Sequence, residues 1–263
     1  LPLYHFNVKG QSIFVTYHLL NIQLYFILDF FIYGVFGRKQ LMKLQISIPW
    51  KVYIWHDVDK IEFFNSLNNK NSLSPIATFT HPDPDYGDRW VIKERFGSGS
   101  KNILLDVSVE EARSSLSRFE NPVCQPYIEG PEFSVDLYIT QNTTPKGCVV
   151  RRRDVVIHGE SQVTTTTERP DIEKTCLEAA AAIGLTGHAL FQIIEDTRGS
   201  LKILECNCRF GGASSLSVAA GLDSFYWFFR ECLGDDLSDV PYVPGPNGWR
   251  QIRYAEDKVV LMT

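Results

Sequence analysis

The stretch LKILECNCRFGG, residues 201 to 212, alternates oxygen-bearing and sulfur-bearing side chains. Successive side chains of a β-strand point to opposite faces, so Glu205, Asn207 and Arg209 share one face while Cys206 and Cys208 share the other. The cysteine face would suit a soft metal or a redox pair, whereas the opposite face offers oxygen ligands and an arginine. The face that carries the function therefore decides whether the chemistry is that of sulfur ligands or that of oxygen ligands.

The preceding segment, HALFQIIED, predicts a partner strand for this stretch. We expect Arg198 and Gly199 to form a two-residue hairpin loop, so that residues whose numbers sum to 397 lie opposite each other. Gln192 then faces Glu205, and together with Asn207 it brings one carboxylate and two amide oxygens within reach. This set suits Mg²⁺, and the cysteines would pack as small hydrophobic side chains. The alternative is a plain hairpin with a few outward polar residues.

Residues 91 to 101, VIKERFGSGSK, predict a strand that ends in a Gly/Ser loop. Lys93 would offer an ammonium group to phosphate oxygens. The loop would add backbone amides, because Gly97 and Gly99 allow close approach and Ser98 adds a donor. The spacing of a Walker A loop is absent. The alternative interpretation is a hairpin tip.

The segment CQPYIEGPEFSVD, residues 124 to 136, predicts two strands joined by a turn. Exposed backbone at Tyr127 and Ile128 would pair with the edge of an adenine, and Glu132 would accept hydrogen bonds from ribose hydroxyls. A strand-turn-strand with a proline break is the simpler interpretation of this segment in isolation.

Strands and helices alternate along the chain that must position these motifs. Asp59 and Lys60 open a short amphipathic helix, and Ser108 is a predicted N-cap with Glu111 as its capping-box partner. The stretch RPDIEKTCLEAAAAIGL predicts a helix with Pro170 in its first turn. This order indicates an α/β or α+β fold.

Composition limits the function classes. The chain has 263 residues, 44% hydrophobic and 22% charged, which fits one large globular domain or two modest ones. A net charge of -5 without a long Lys/Arg run argues against general nucleic-acid binding. The six cysteines lack C-x-x-C spacing, so we expect reduced thiols in a cytoplasmic protein.

Residues 12 to 36 are aromatic-rich and long enough to raise the question of a membrane span. Asp29 lies within this stretch, and a carboxylate near the middle of a span would cost ~2.5–3.5 kcal/mol. A buried strand and helix of a soluble domain is therefore the favoured interpretation. The stretch lacks the basic region and the small-residue cleavage site that are typical of a signal peptide, so a signal peptide is not expected.

Taken in chain order, these motifs resemble the ATP-grasp superfamily. Asp59-Lys60, VIKERFGSGS, CQPYIEGPEFSVD, HGES, LFQIIED and ECNCRFGG follow the family's order over about residues 57 to 220. The most specific part is Gln192 with E-C-N-C-R, where the family usually shows E-x-N-P-R. The sequence is most similar to the branch that contains the large subunit of carbamoyl-phosphate synthase and carboxylate-amine ligases, including the pyrrolysine-pathway ligase.

The resemblance implies an α+β fold in which two lobes hold ATP between antiparallel sheets, preceded by a partial Rossmann-like α/β region. It implies a remodelled N-terminal region over 1–56, a small lobe over 57–128 and a large lobe with the metal site over 129–263. Relatives carry a complete Rossmann-like domain before the first helix. We therefore expect part of the substrate-binding side to be missing or remodelled.

The resemblance also implies a role for each motif. A solvated charge run nevertheless stays the default interpretation of Arg151 to Arg153. Cys208 replaces the family's proline, which leaves the oxygen ligands intact. The implied contacts are nucleotide phosphates for Lys60 and Lys93, the triphosphate cover for Gly97, Ser98 and Gly99, adenine for Gln125, Tyr127 and Ile128, ribose for Glu132, magnesium for Gln192, Glu205 and Asn207, phosphoryl transfer for Lys93 and Arg209, and substrate for Arg153, Glu160 and Ser161.

The implied reaction is phosphorylation of a carboxylate by ATP to an acyl phosphate, followed by attack of an amine with loss of phosphate. Mg²⁺ would be the metal, with Mn²⁺ as an alternative. The implied partners are a small-molecule acid and amine, without nucleic acid or membrane, and a homodimer is the assembly to consider. The alternative function is that of a truncated or regulatory nucleotide-binding relative without ligase activity.

Overall fold

The computed structural model describes residues 59–70, 72–96 and 102–254, together with the backbone of 3–8 and 11–16. The chain divides into two units, Leu1–Pro49 and Trp50–Thr263. In the first unit, strands β1 (Leu3–Val8) and β2 (Gln11–Thr16) pair as an antiparallel hairpin. Most of the stretch 12–36, interpreted above as buried core rather than a membrane span, lies outside the described residues.

A three-stranded antiparallel sheet in the order β4-β3-β5 begins the described part of the second unit. Trp90, Ile92 and Cys124 pack in a buried cluster on one of its faces. Because side chains alternate along a strand, Lys93 and Gln125 belong to the other face. The elements are α1 (Lys60–Asn68), β3 (Arg89–Glu94), β4 (Ile103–Ser108), α2 (Val109–Ser115) and β5 (Pro122–Pro126), with short 3-10 turns at Pro84–Tyr86 and Leu116–Arg118.

Local capping explains where the first two helices begin. The Asp59 carboxylate accepts hydrogen bonds from the backbone amides of Ile61 at 3.0 Å and Glu62 at 3.3 Å. Ser108 Oγ accepts from the amide of Glu111 at 3.2 Å. Such caps satisfy orphan amides and typically contribute about 1 kcal/mol each. The predicted helix starts at Asp59-Lys60 and Ser108 are confirmed.

A six-stranded antiparallel sheet in the order β10-β9-β6-β7-β8-β11 forms the larger part of this unit. Ile172 and Cys176 of helix α3 pack against Phe133, Val135 and Phe191 to form the main core on one face. Burial of each large apolar side chain contributes about 1.5–3 kcal/mol. The elements are β6 (Glu132–Ile139), β7 (Pro145–Ile157), β8 (Glu160–Thr166), α3 (Pro170–Ala182), β9 (Gly187–Glu195), β10 (Leu201–Asn207), α4 (Ser214–Ala219), α5 (Ser224–Cys232) and β11 (Arg250–Ile252).

The β9–β10 hairpin corrects the predicted loop. Near the turn, Leu201 pairs with Glu195, so paired residues sum to 396 and the connection is longer than Arg198-Gly199 alone. A register shift between Ile203 and Glu205 adds one residue on β10. The sum therefore becomes 397 beyond the bulge, and the predicted pairing of Gln192 with Glu205 is confirmed in spite of the wrong loop length.

A short extended segment joins the two sheets. The Ile76 amide donates to the carbonyl of Ile203 at 2.9 Å, and Phe79 exchanges backbone hydrogen bonds with Cys124. All six cysteines are free, and Cys206 and Cys208 pack in or against the main core, as predicted for the inner face of the strand. None of the helices in the described part of the chain is long and apolar enough to span a membrane.

Candidate functional site

Strands β9 and β10 place the three predicted magnesium residues on one face of the large sheet. Asn207 Nδ2 donates to Glu205 Oε1 at 2.9 Å. In the orientation that satisfies its neighbours, the amide nitrogen of Gln192 donates to the same oxygen at 3.0 Å. The amide oxygens of Asn207 and Gln192 accept from Arg209 and Arg153, each at 3.1 Å. The amides of Gln192 and Asn207 therefore both donate to the Glu205 carboxylate, and the three predicted ligands lie together.

Lys93, on β3 of the small sheet, belongs electrostatically to the same cluster. Burial lowers the pKa of Lys93 to about 8, while the carboxylate of Glu205 opposes this shift, Lys60 adds to it and Glu132 opposes it. Burial would raise the pKa of Glu205, but the charge of Lys93 and the hydrogen bond from Asn207 bring it below its ordinary value. The lysine and the carboxylate thus stabilise each other's charged forms, as expected for opposite charges in a poorly solvated site.

Arg209 opens the turn that follows β10. Its Nη2 donates to Asn207 Oδ1, and its Nη1 donates to the carbonyl of Phe210 at 3.4 Å. The Phe210 ring stacks between the rings of His188 and Phe225, with centroid distances of 3.9 Å on both sides. The turn is therefore fixed by packing, and it holds the guanidinium beside the predicted magnesium residues.

The predicted adenine segment has one buried acceptor without a partner. Gln125 Nε2 donates to Thr78 Oγ1 at 2.8 Å, while Gln125 Oε1 is buried and makes no hydrogen bond within the described residues. The Tyr127 amide donates to the Arg89 carbonyl at 2.8 Å, so this one donor of the predicted adenine edge is already engaged. A cavity of about 240 Å³ beside the segment is lined by Tyr127, Ile128, Glu129, Asp196, Thr197 and Arg198.

Arg153 links residues predicted for three different roles. Its Nη1 donates to Glu132 Oε2 at 2.8 Å, its Nε to Ser161 Oγ at 3.1 Å and its Nη2 to the Gly159 carbonyl at 2.7 Å. With the contact to Gln192, four of its five N–H groups are engaged by the protein. Arg153 is therefore a clamp that fixes the 158–161 turn against the predicted ribose and metal residues.

The interpretation of Arg151 to Arg153 as a solvated charge run is wrong. Only the Arg152 side chain is largely exposed, and it pairs with Asp154 at 2.6 Å. Arg151 is 1% exposed and forms an ion pair with Asp136, and Arg153 is 5% exposed. The reason is strand alternation, which turns the two outer arginines of the triplet toward carboxylates of the neighbouring strand β6.

Arg253, the residue directly after β11, brings a further cation to this edge of the sheet. Arg253 Nη1 pairs with Glu160 Oε2 at 2.7 Å, and its Nη2 donates to the carbonyl of Gly212. A Cβ on Gly212 would lie 2.5 Å from the Arg253 guanidinium, so only glycine fits there without a shift. The predicted substrate residue Glu160 is thus an ion-pair partner that ties the 158–161 turn to the turn after β10.

A buried polar network on the same face was not predicted. Its centre is the fully buried carboxylate of Asp136, which accepts from Arg151 Nε at 2.9 Å and Ser217 Oγ at 2.6 Å, and also from Ser214 Oγ. His188 Nε2 lies 3.3 Å from Asp136 Oδ1. Strand alternation could have placed Asp136 and Arg151 on one face, but no local pattern links them to the two serines.

The residues present fit a nucleotide with a hard divalent cation. Within the described residues, no three His, Cys, Asp or Glu side chains cluster closely enough to hold a metal ion. A metal here would therefore rest on the Glu205 carboxylate and on the amide oxygens of Gln192 and Asn207, which is a set that Mg²⁺ accepts. The unpartnered Gln125 oxygen suits an exocyclic amine. The predicted phosphate cover, Gly97 to Gly99, lies outside the described residues.

Solved structures of similar fold include two carboxylating enzymes. The biotin carboxylase domain of Hydrogenobacter thermophilus 2-oxoglutarate carboxylase, in complex with MgADP, ADP and bicarbonate, is 16% identical with a TM-score of 0.60, over 72% of this chain and 48% of that one. N5-carboxyaminoimidazole synthetase from Staphylococcus aureus, complexed with ADP, is 15% identical with a TM-score of 0.60, over 70% and 53%. The chain thus spans about half the length of these structures. No curated protein matches it.

A family model matches more than half of the chain. The match covers residues 118–257, which include β6 to β11, the three predicted magnesium residues and Arg209. The α+β architecture of antiparallel sheets flanked by helices agrees with this family and with the solved structures. The chain therefore belongs to the ATP-grasp superfamily, in the family described as ATP-grasp in the biosynthetic pathway with Ter operon.

Proposed function

We propose that this chain is an Mg-ATP-dependent ligase of the carboxylate-amine type, similar to the carbamoyl-phosphate synthase branch. The observation that carries the proposal is the surplus of positive charge around the carboxylate of Glu205, the predicted metal ligand. Lys60, Lys93 and Arg209 all favour the charged form of Glu205, and the second carboxylate near Lys93, Glu132, is already paired with Arg153. A polyanion such as a triphosphate would balance this charge.

Each of the two proposed lobes would bind a different part of the metal–nucleotide complex. The small lobe, 57–128, would contribute Lys60 and Lys93 to the phosphates and the Gln125–Ile128 segment to adenine. The large lobe, 129–263, would contribute Gln192, Glu205 and Asn207 to the metal. Mg²⁺, when bound, would neutralise charge on the phosphates. These assignments give each lobe one part of the nucleotide, so that activity would require both.

The proposed chemistry needs little covalent participation by the protein. Lys93 and Arg209 would stabilise negative charge on the phosphoryl group as it moves from ATP to an oxygen of the substrate carboxylate, which releases ADP. The amine would then attack the acyl carbon, the bond from that carbon to the phosphate oxygen would break, and phosphate would leave. Positioning supplies most of the remaining acceleration, because both reactants are held in line.

Release of ADP and phosphate tests the proposal. The protein is mixed with Mg-ATP and with pools of amino acids and small carboxylates, and each pool is repeated with EDTA in excess over the metal. We expect release that depends on a pool and disappears with EDTA. Tight Mg-ADP binding without release from any pool would contradict the ligase and favour the second candidate.

The second candidate is a nucleotide-binding relative without ligase activity. The observation that favours it is the state of Arg153, whose N–H groups are mostly used by Glu132, Gln192, Gly159 and Ser161. An arginine committed in this way has little capacity left for a substrate carboxylate. Amide formation by the isolated chain would eliminate this candidate.

A further inference from the structure

The turn that carries Arg209 is tied to the interior of the large sheet by one serine. Ser214 Oγ accepts a hydrogen bond from the amide of Gly211 at 2.8 Å and donates its own hydrogen to Asp136 Oδ1. Ser214 is 2% exposed and Asp136 is 0% exposed. A continuous path therefore runs from a buried carboxylate on β6, through one hydroxyl, to the backbone two residues after Arg209.

The buried end of this path is fixed from several directions. Besides Ser214, the Asp136 carboxylate receives Arg151 Nη2 at 2.5 Å and Ser217 Oγ at 2.6 Å, and Arg151 Nε also donates to Ser217. Burial would raise the pKa of Asp136, but Arg151 and the neighbouring donors hold it well below its ordinary value. The carboxylate is therefore ionised and immobile, and it can only accept hydrogen bonds.

An ionised Asp136 dictates which way the Ser214 hydroxyl points. A serine hydroxyl has one hydrogen and two lone pairs. Because the hydrogen is given to the carboxylate in a charge-assisted bond, a lone pair is left for the Gly211 amide. A neutral partner at position 136 would remove the charge assistance and hold the orientation of the hydroxyl less firmly. The charge of Asp136 therefore affects the backbone of the turn indirectly, through the orientation of the Ser214 hydroxyl.

The exposed end of the path has little freedom. A Cβ on Gly211 would lie 2.5 Å from Leu190 Cδ2, so the backbone of the turn rests directly on β9. Phe210 is held between two rings, and Arg209 itself donates to Asn207. Any loosening at Gly211 would therefore be transmitted to the guanidinium of Arg209, since only one residue separates them.

We propose that Asp136 and Ser214 are positioning residues for Arg209, and that they act through the hydrogen bond between Ser214 and the Gly211 amide. The inference rests on the proposed function, because Arg209 is assigned to the phosphoryl group there. Loss of the Ser214 hydroxyl keeps the Arg209 guanidinium in the protein but lets it move away from the position where it would stabilise the transition state. The substitution therefore lowers kcat more than it raises the KM for ATP.

Ser217 supplies a matched control for Ser214. Both serines donate to Asp136, both are almost fully buried, and both lie in helix α4. Only Ser214 also contacts the turn, through Gly211. Ser214→Ala and Ser217→Ala therefore remove the same group from the same carboxylate. Neither variant leaves Arg151 without its partner, which is the reason to prefer them to a change at Asp136.

The test compares hydrogen exchange at the Gly211 amide, ATP-dependent turnover and thermal stability in the full chain. We expect Ser214→Ala to speed exchange at Gly211 about tenfold and to lower kcat about tenfold, with the KM for ATP within about twofold. Ser217→Ala should lower the melting temperature similarly but keep Gly211 exchange and kcat within about twofold.

Two results would overturn the inference. One is an unchanged Gly211 exchange rate and kcat in Ser214→Ala. The other is an equal loss of kcat in both variants, which would mean that the serines act only through stability. Absence of pool-dependent ADP release from the wild-type protein would instead overturn the proposed function itself, and this separates the two failures.

Discussion

Two polar clusters lie on the same face of the large sheet and differ in how their charges are balanced. In the buried cluster, Asp136 is matched by Arg151, and both side chains are at most 1% exposed. In the cluster at the end of β10, Lys60, Lys93 and Arg209 favour the charged form of Glu205, which accepts from Gln192 on β9, and Glu132 on β6 is the second carboxylate. The buried Asp136–Arg151 ion pair has no net charge, whereas the second cluster has more cations than carboxylates.

This difference distinguishes polar residues that stabilise the fold from polar residues proposed to bind a ligand, although both groups lie on the same face of the sheet. A buried charge that is paired and hydrogen-bonded by the protein fixes geometry, because any movement breaks several bonds at once. A cluster with unbalanced charge is completed by a ligand of opposite sign. The two clusters share strands β6 and β9, so the register that builds the rigid cluster also positions the one proposed to bind nucleotide.

The largest effect expected is the loss of the buried carboxylate. Asp136→Asn should destabilise the protein by about 3–5 kcal/mol, because it leaves Arg151 buried without a counter-charge. Glu132→Gln is the matched control, since it removes the partner of Arg153 on the same strand, but the Glu132 side chain is 39% exposed. Its cost should be smaller, about 1–2 kcal/mol, because water reaches Glu132 and Arg153 keeps its bonds to Ser161, Gly159 and Gln192. Chemical denaturation of both variants measures the contrast, and equal losses would refute it.

The next effect concerns the pH dependence of stability without nucleotide or metal. The pKa of Lys93 is about 8 in the folded protein against 10.5 ordinarily. Between these values the unfolded chain holds a proton that the folded chain has released, so stability should rise with pH across this window. The contribution is on the order of 3 kcal/mol.

The measurement compares wild type with Lys93→Met, and uses Lys70→Met, at an exposed position two residues after the end of α1, as the control. The rise between about pH 8 and 10.5 should disappear in Lys93→Met and persist in Lys70→Met. Taking the difference between each variant and wild type removes the titration of all other groups. A rise of equal size in Lys93→Met would show that this lysine is not the group responsible.

Part of this comparison could be predicted from the sequence. The alternation of ECNCR correctly separated the oxygen face from the cysteine face, because period two is a local property of a strand. The pairing of Gln192 with Glu205 was also correct, but a bulge at residue 204 had to offset a longer loop. Bulge positions depend on packing, so this agreement did not follow from the turn residues.

The buried cluster could not be predicted in the same way. Asp136, Arg151, His188 and Ser214 come from four different elements, and their meeting depends on the strand order of the sheet and on the path of the turn after β10. Each residue alone resembles an ordinary polar position. Charge runs are usually solvated, so the triplet Arg151 to Arg153 predicts an exposed patch, whereas its outer members pair with carboxylates of strand β6.

A change at Glu205 should affect ligand binding more than stability. Glu205→Gln should weaken Mg-ADP binding about a hundredfold, equivalent to about 2.7 kcal/mol, since it removes the only carboxylate of the predicted metal set. The double variant Cys206→Ala/Cys208→Ala should keep its affinity within about twofold, because both cysteines face the core. Isothermal titration calorimetry decides between the two faces, and the reverse result would overturn the assignment.

The smallest effect expected is at Arg152, whose side chain is 54% exposed and pairs with Asp154 beside the clamped Arg153. Arg152→Ala should change stability by less than about 1 kcal/mol, because an exposed ion pair is screened by water and salt. Arg151→Met, one residue away on the buried face, should cost several-fold more by leaving Asp136 without its counter-charge. Denaturant titrations at low and high salt separate the two cases. Salt should reduce only the Arg152 effect, because the buried pair is shielded from ions, and a similar salt dependence at both positions would mean that solvent reaches the Asp136 cluster.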